Sequence, residues 1–216
     1  MCNDLSPWSR LRGLEPMSLC DWPGRVCAVL FLGGCDLRCP TCHNFHLAWH
    51  SQDDPCLSRT GTLDMLARKA SWLDGLVVTG GEATLSEDLP EWLAELHVRL
   101  SLPIKLDTNG MHPDVVERSL ALQAVDLVAV DIKGPWRKYP LLTGNRISAH
   151  QAKATLRQTF KLAELSPDRF LFRTTLVPLL TPEDIQAMSM LLPSGFTLHT
   201  QPFRPFQGRY NKENAC

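Results

Sequence analysis

Short apolar, β-rich runs alternate with helical patterns along most of this 216-residue chain, and that alternation admits few architectures. Residues 26–32, 75–79, 104–107, 127–131, 170–176 and 196–201 read as strands, and 62–73, 89–100, 113–123, 150–165 and 182–192 as the helices between them. Helix starts are marked where Ser86 precedes Glu87 and Asp88, and where Thr181-Pro182-Glu183-Asp184 combines a cap, an early proline and first-turn acids. Such a repeat predicts an α/β fold with a parallel sheet. Six strands and five helices fall short of the eight of a closed barrel, so the expectation is a partial, six-stranded (β/α)6 parallel barrel. Its open side would admit a bulky substrate such as a loop of another protein. The length suits a single domain over 1–216, with a core of about 13–205 and short terminal extensions.

Sites in parallel α/β barrels form at the C-terminal ends of strands. Here those ends carry Cys35, Cys39 and Cys42, then Gly80-Gly81-Glu82, then Asp107-Thr108-Asn109-Gly110, then Asp131-Ile132-Lys133. Three thiols within eight residues point to a metal site. A structural zinc takes four protein ligands, and a cluster held only by protein needs four cysteines, so three leave one coordination position open for chemistry. A zinc loop completed by His43 or a distant histidine, or a disulfide framework, is the competing reading, but no second paired half-site exists. Cys2, Cys20, Cys27, Cys56 and Cys216 are scattered singly, as reduced thiols in a reducing compartment would be; Cys27 reads as a core residue and Cys216 as an exposed thiol.

The Cys-x3-Cys-x2-Cys loop at the end of the first strand resembles that of the radical S-adenosylmethionine (SAM) enzymes. The resemblance implies that Cys35, Cys39 and Cys42 bind a 4Fe-4S cluster whose fourth iron is chelated by SAM, and that an electron from the cluster splits SAM to give a 5'-deoxyadenosyl radical. It also implies a SAM pocket. Gly80, Gly81 and Glu82 would hold the SAM amino group through backbone atoms, although Gly-Gly after a strand is by itself most often a turn. Asp107 and Asn109 share a side of the extended chain, with an Asx turn as the local alternative. Asp131 and Lys133 share a face at spacing two, where a plain internal salt bridge would serve equally. Lys133 would meet the methionyl carboxylate, and Arg173, with Thr175 on its face, could reach SAM too. In the related activators of pyruvate formate-lyase, the equivalents of Asp107, Thr108 and Asp131 line a monovalent-cation site.

Softer motifs resemble one branch, the activating enzymes of glycyl-radical proteins and, among them, the activators of anaerobic ribonucleoside-triphosphate reductase. They are the lead-in Ser18-Leu19-Cys20-Asp21-Trp22-Pro23-Gly24, Cys42-His43-Asn44, Phe172-Arg173-Thr174-Thr175, and Gln201-Pro202-Phe203-Arg204-Pro205, where pyruvate formate-lyase activators carry a histidine. The branch implies a glycyl-radical protein as substrate and a flavodoxin- or ferredoxin-type electron donor. Thr41 stands where many members have an aromatic residue over the adenine, which leaves a main-chain edge or Phe45 for that role. Phe45, His46, Trp49 and His50 read as packing more than as a cofactor wall. Only the short polar stretch 50–61 follows the loop, so one cluster is expected. The alternatives are a radical SAM enzyme acting on a small molecule, in the manner of deazapurine synthases, and a zinc-stabilised binding module.

Bulk properties add exclusions. Lys and Arg number 22 against 23 Asp and Glu, a balance that argues for neither nucleic acid nor an anionic membrane as partner. No apolar stretch approaches the roughly 20 residues of a membrane span, and the first residues lack the pattern of a signal peptide. A cytoplasmic location is expected.

Overall fold

The computed structural model describes residues 6–205; Cys2 and Cys216 lie outside them. Seven strands form one sheet in sequence order: β1 (Leu11–Ser18), β2 (Cys27–Leu32), β3 (Gly75–Gly80), β4 (Ile104–Thr108), β5 (Leu127–Asp131), β6 (Phe170–Leu176) and β7 (Leu198–Pro202). From β2 to β7 every pairing is parallel, and the sheet ends at β1 and β7 without closing. The six expected strands are therefore present in an open, partial barrel.

The seventh strand, β1, runs antiparallel to β2 and was not expected as a strand. Its sequence, with Gly13, Glu15 and Pro16, lacks β-branched residues, and its pairing slips between Leu11 and Gly13 and between Glu15 and Ser18. An edge strand tolerates this, because a proline there forfeits no ladder bond on the outer side.

The helices are α1 (Pro7–Arg10), α2 (Phe45–Trp49), α3 (Arg59–Lys69), α4 (Leu89–Leu100), α5 (Pro113–Ala121), α6 (Tyr139–Leu142), α7 (Ala149–Leu165) and α8 (Pro182–Ser189). Thr181 caps α8 as expected, in a reciprocal box with Asp184, and Ser148 and Gln151 do the same for α7. Ser86 does not cap α4. Asp88 occupies that position, and the Ser86 hydroxyl instead accepts a 2.7 Å bond from Arg10.

Alternation along the strands sorts side chains between two faces. Ala28, Leu30, Leu32, Leu76, Val78, Ile104, Leu106, Val128 and Val130 join the main core, which also takes in Leu89, Trp92, Leu93, Leu96 and Leu100 of α4. Each fully buried leucine contributes about 1.5–3 kcal/mol relative to exposure. The other face carries a small apolar patch of Trp22, Cys27, Val29 and Val77, and then turns polar towards the strand ends. Cys27 is buried as a core residue, as expected.

Candidate cofactor site at the strand ends

A cavity of about 840 Å³ opens on that second face. All eleven expected site residues line it: Cys35, Cys39, Cys42, Gly80, Gly81, Glu82, Asp107, Asn109, Asp131, Lys133 and Arg173. Strand alternation explains much of the gathering, since Phe31, Thr79, Lys105, Asp107, Leu127, Asp131, Arg173 and Thr175 sit at positions of one parity on β2 to β6 and all face inward.

The cysteine loop lies against the turn after β3, main chain on main chain. Gly81 N–H donates to the Leu32 carbonyl at 2.9 Å and Glu82 N–H to the Gly34 carbonyl at 2.8 Å. A Cβ on Gly80 would fall 2.2 Å from the Leu32 oxygen, and one on Gly81 would fall 2.0 Å from the Gly34 oxygen. The paired glycines are thus required by this crossing, whatever else they hold. Arg10 pins the same crossing from behind. Buried beneath it, the guanidinium donates to the carbonyls of Gly33 (2.9 Å), Glu82 (2.6 Å) and Ala83 (3.3 Å). The far side of the loop is tied by Trp49 Nε1 to the Leu37 carbonyl (3.0 Å), and by Arg38, which donates to the Cys35 carbonyl (3.1 Å) and lies over the Trp49 ring.

Glu82 is 1% exposed, and its charge is turned to protein partners. One carboxylate oxygen accepts from the Thr84 backbone and from the Thr84 and Thr108 hydroxyls, and the other accepts from the Asn109 N–H at 2.7 Å. Burial pushes its pKa up despite these donors. Asn109 closes an Asx turn onto Met111 N–H, with Gly110 at φ +76°, while its amide donates to Asp36.

Ion pairs fill the other half of the rim. Lys105 Nζ stands 2.6 Å from one oxygen of Asp107, whose second oxygen is 3.0 Å from Arg173. Arg173 Nε donates to Asp131 at 2.6 Å, and the remaining Asp131 oxygen meets Lys133 at 3.4 Å. Arg173 pairs with carboxylates, where strand-end carbonyls were its bland alternative. Burial alone would raise the Asp131 carboxyl, but the Lys133 and Arg173 cations outweigh it and hold that carboxyl well below the usual range. The Lys133 and Arg173 pKa values rise in return, the neighbouring carboxylates overcoming the desolvation that would lower them.

Burial pushes the Cys35, Cys39 and Cys42 thiols up, most strongly at Cys35; the Lys133 ammonium works against this at Cys39 and Cys42. Among the described residues, no three His, Cys, Asp or Glu side chains converge closely enough to enclose a single metal ion. Three soft ligands spread around one cavity instead fit a cluster in which each iron takes its own thiolate. A cation beside them offsets the charge of deprotonated thiolates.

The sequence reading passed over Arg10, Lys105 and the Asp36–His112 contact (3.3 Å). Nothing in its local sequence distinguishes Arg10. Lys105 did carry a signal, because Lys105 and Asp107 repeat the spacing of two that had singled out Asp131 and Lys133. Phe45, His46, Trp49 and His50 lie outside the cavity lining, whereas Thr41 and His43 belong to it, and the His43 ring stacks on Phe203 at 5.3 Å.

Comparison with known proteins accords with this geometry. The family model described as the Radical SAM superfamily matches residues 29–192, and the chain belongs to that superfamily. It is an enzyme of the radical SAM class, whose cofactors are a 4Fe-4S cluster and SAM. A Methanocaldococcus jannaschii protein, assigned by inference as a glycyl-radical enzyme activating enzyme, is 29% identical over 93% of this chain and 82% of its own length. The pyruvate formate-lyase-activating enzyme of Streptococcus mutans is 33% identical over 79% of this chain, which spans 66% of that protein. Among solved structures, anSMEcpe with bound AdoMet has a TM-score of 0.56 at 18% identity, over 83% of this chain and 52% of its own. TYW1 with a lysine-pyruvate adduct has 0.55 at 14%, over 76% and 60%. These two show a shared fold. No helix among the described residues is long and apolar enough to cross a membrane.

Proposed function

We propose that this chain, as one radical SAM domain, installs a glycyl radical on a partner protein, and that the partner is an anaerobic ribonucleoside-triphosphate reductase. The observation that carries the reading is the meeting of three half-buried thiols with Lys133 and Arg173 around one cavity open to one side. The names of the M. jannaschii and S. mutans relatives support the activating role. The Gln201-Pro202-Phe203-Arg204-Pro205 run supports the choice of partner.

In this reading Cys35, Cys39 and Cys42 hold the cluster. Bound together, cluster and SAM supply an electron and a carbon radical able to abstract a hydrogen atom. The chain supplies binding and orientation. Lys133 and Arg173 attract the SAM carboxylate, and Asp131 keeps both cations charged and in place. Carbonyl oxygens of the Gly80–Gly81 turn accept from the SAM ammonium, which has only donors to offer; the Gly80 carbonyl also accepts from the Asn44 amide at 3.3 Å. Glu82 and Asn109 fix the walls through their mutual bond, and Asp107 positions Arg173. The open edge of the sheet admits the partner's glycine-bearing loop, and a flavodoxin- or ferredoxin-type protein delivers the electron in the cytoplasm.

The test is spectroscopic. Reduced, reconstituted protein mixed with SAM and the reductase should give a glycyl-radical doublet in the electron paramagnetic resonance spectrum. Cleavage of SAM without a protein-borne signal would instead favour a small-molecule substrate.

A further inference from the structure

Lys105 is 1% exposed on the inner face of β4, with apolar Val77 and Leu127 as its register neighbours. A buried ammonium is costly unless paired, and here it meets Asp107 at 2.6 Å and donates to the Asp21 carbonyl at 2.8 Å. Asp107 belongs to a row of five charges, Lys105, Asp107, Arg173, Asp131 and Lys133, each in contact with the next. Three cations and two carboxylates leave one net positive charge facing the cavity, which matches one ligand carboxylate. The Thr108 hydroxyl is also committed, donating to Glu82 at 2.8 Å and accepting from Gly110 at 3.1 Å. Of the oxygens expected to coordinate a monovalent cation, those of Thr108 and Asp131 already meet protein donors, while Asp107 Oδ1 is buried without a hydrogen bond and is met by the Lys105 ammonium as an ion pair at 2.6 Å. A free monovalent cation does not fit this site.

We infer that Lys105 is a built-in counterion: its ammonium takes the place at Asp107 that a dissolved cation would occupy, so SAM binding in this enzyme needs no added ion. The inference rests on the radical SAM reading and assigns Lys105 a positioning role, acting on SAM through Asp107 and Arg173. Removing the ammonium leaves Asp107 with one unmatched oxygen and a space, which is the description of a cation site. The substitution Lys105→Ala therefore creates the ion dependence that the wild type lacks. Lys105→Met removes the charge but keeps the space filled.

The experiment is calorimetric titration of cluster-reconstituted protein with SAM in two buffers of equal ionic strength, one with K+ and one with tetramethylammonium, an ion too large to be coordinated. The wild type should bind equally in both. Lys105→Ala should bind about tenfold more weakly in tetramethylammonium and recover in K+, the scale of a typical coupling between two ligands. Lys105→Met should be weakened in both buffers alike. Without cofactors, K+ should raise the melting temperature of Lys105→Ala and leave that of the wild type unchanged, as ligand linkage requires. A wild type that gains about tenfold from K+, a folded Lys105→Ala indifferent to the ion, or a Lys105→Met of full affinity would each overturn the inference. If Lys105→Ala does not fold, the wild type and Lys105→Met decide. A wild type that binds no SAM in either buffer removes the radical SAM reading itself, a result distinct from stimulation by K+.

Discussion

At the ends of β2 and β3 the cavity wall is held by main-chain hydrogen bonds and a glycine crossing, whereas at β4, β5 and β6 it is held by side-chain ion pairs. The first region fixes shape. Its backbone atoms approach so closely that no Cβ fits, and its thiols are pushed towards the neutral form by burial. The second region fixes charge, with each carboxylate set between two cations and each cation answered in turn. A soft metal cluster needs ligands at set positions, and a zwitterionic cofactor needs a matched field. The fold separates the two tasks onto neighbouring strand ends.

The comparison can be broken most forcefully at the thiols. Cys39→Ala should abolish cluster assembly and 5'-deoxyadenosine formation, measured as iron content and by chromatography, whereas Cys56→Ala, an exposed thiol outside the cavity lining, should leave both intact. Equal loss in the two variants would remove the assignment of the shape-fixing region.

Next in size is a contrast in stability. Gly81→Ala must displace the Gly34 carbonyl, and overpacking of this kind costs about 1–3 kcal/mol, or roughly 2–12 °C in melting temperature for a chain of this length. The loss should be the same in low and high salt. Arg173→Met takes one of two cations from each of Asp107 and Asp131 and leaves each its lysine, so it should cost less than the about 3–5 kcal/mol of breaking a fully buried pair, the more so because the site is partly open to water. Its cost should shrink as salt rises. Thermal melts at two ionic strengths separate the regions, and a salt-independent Arg173→Met would merge them.

The smallest effect is one of sign with pH. Asp131 is held below its ordinary range, so its stabilisation is complete above about pH 4 and fades as pH falls below that. Glu82 is pushed up by burial, so it is most favourable in acid and loses ground as pH rises through its unfolded value, about 4.3, towards the folded one. The melting-temperature gap between wild type and Asp131→Asn should therefore narrow on acidification, while that between wild type and Glu82→Gln widens. Parallel slopes would show that the two carboxyls share one environment.

Much of this was legible from periodicity and spacing. The six parallel strands announce themselves because buried strands must be apolar and their ends polar, and the cysteine loop is defined by residues close in sequence. β1 was hidden because edge pairing tolerates Gly13, Glu15 and Pro16, which interior strands exclude. Ser86 looked like a cap because capping residues also make good acceptors, and only its contact with Arg10, 76 positions away in the chain, reveals the other use.

By itself the sequence determined which chemistry was present: three thiolates on one loop, glycines at one strand end, and charged residues spaced by two at others, all within a repeat that folds into a parallel sheet. Tertiary structure decided how those groups are shared. It placed Arg10 under the glycine crossing, turned Glu82 inward, and linked five charges, four on three strands and Lys133 just after β5, into one row with a single positive charge to spare. Local spacing cannot encode such sharing, because a buried charge takes the partner that geometry brings within reach, and in this fold those partners arrive from different strands.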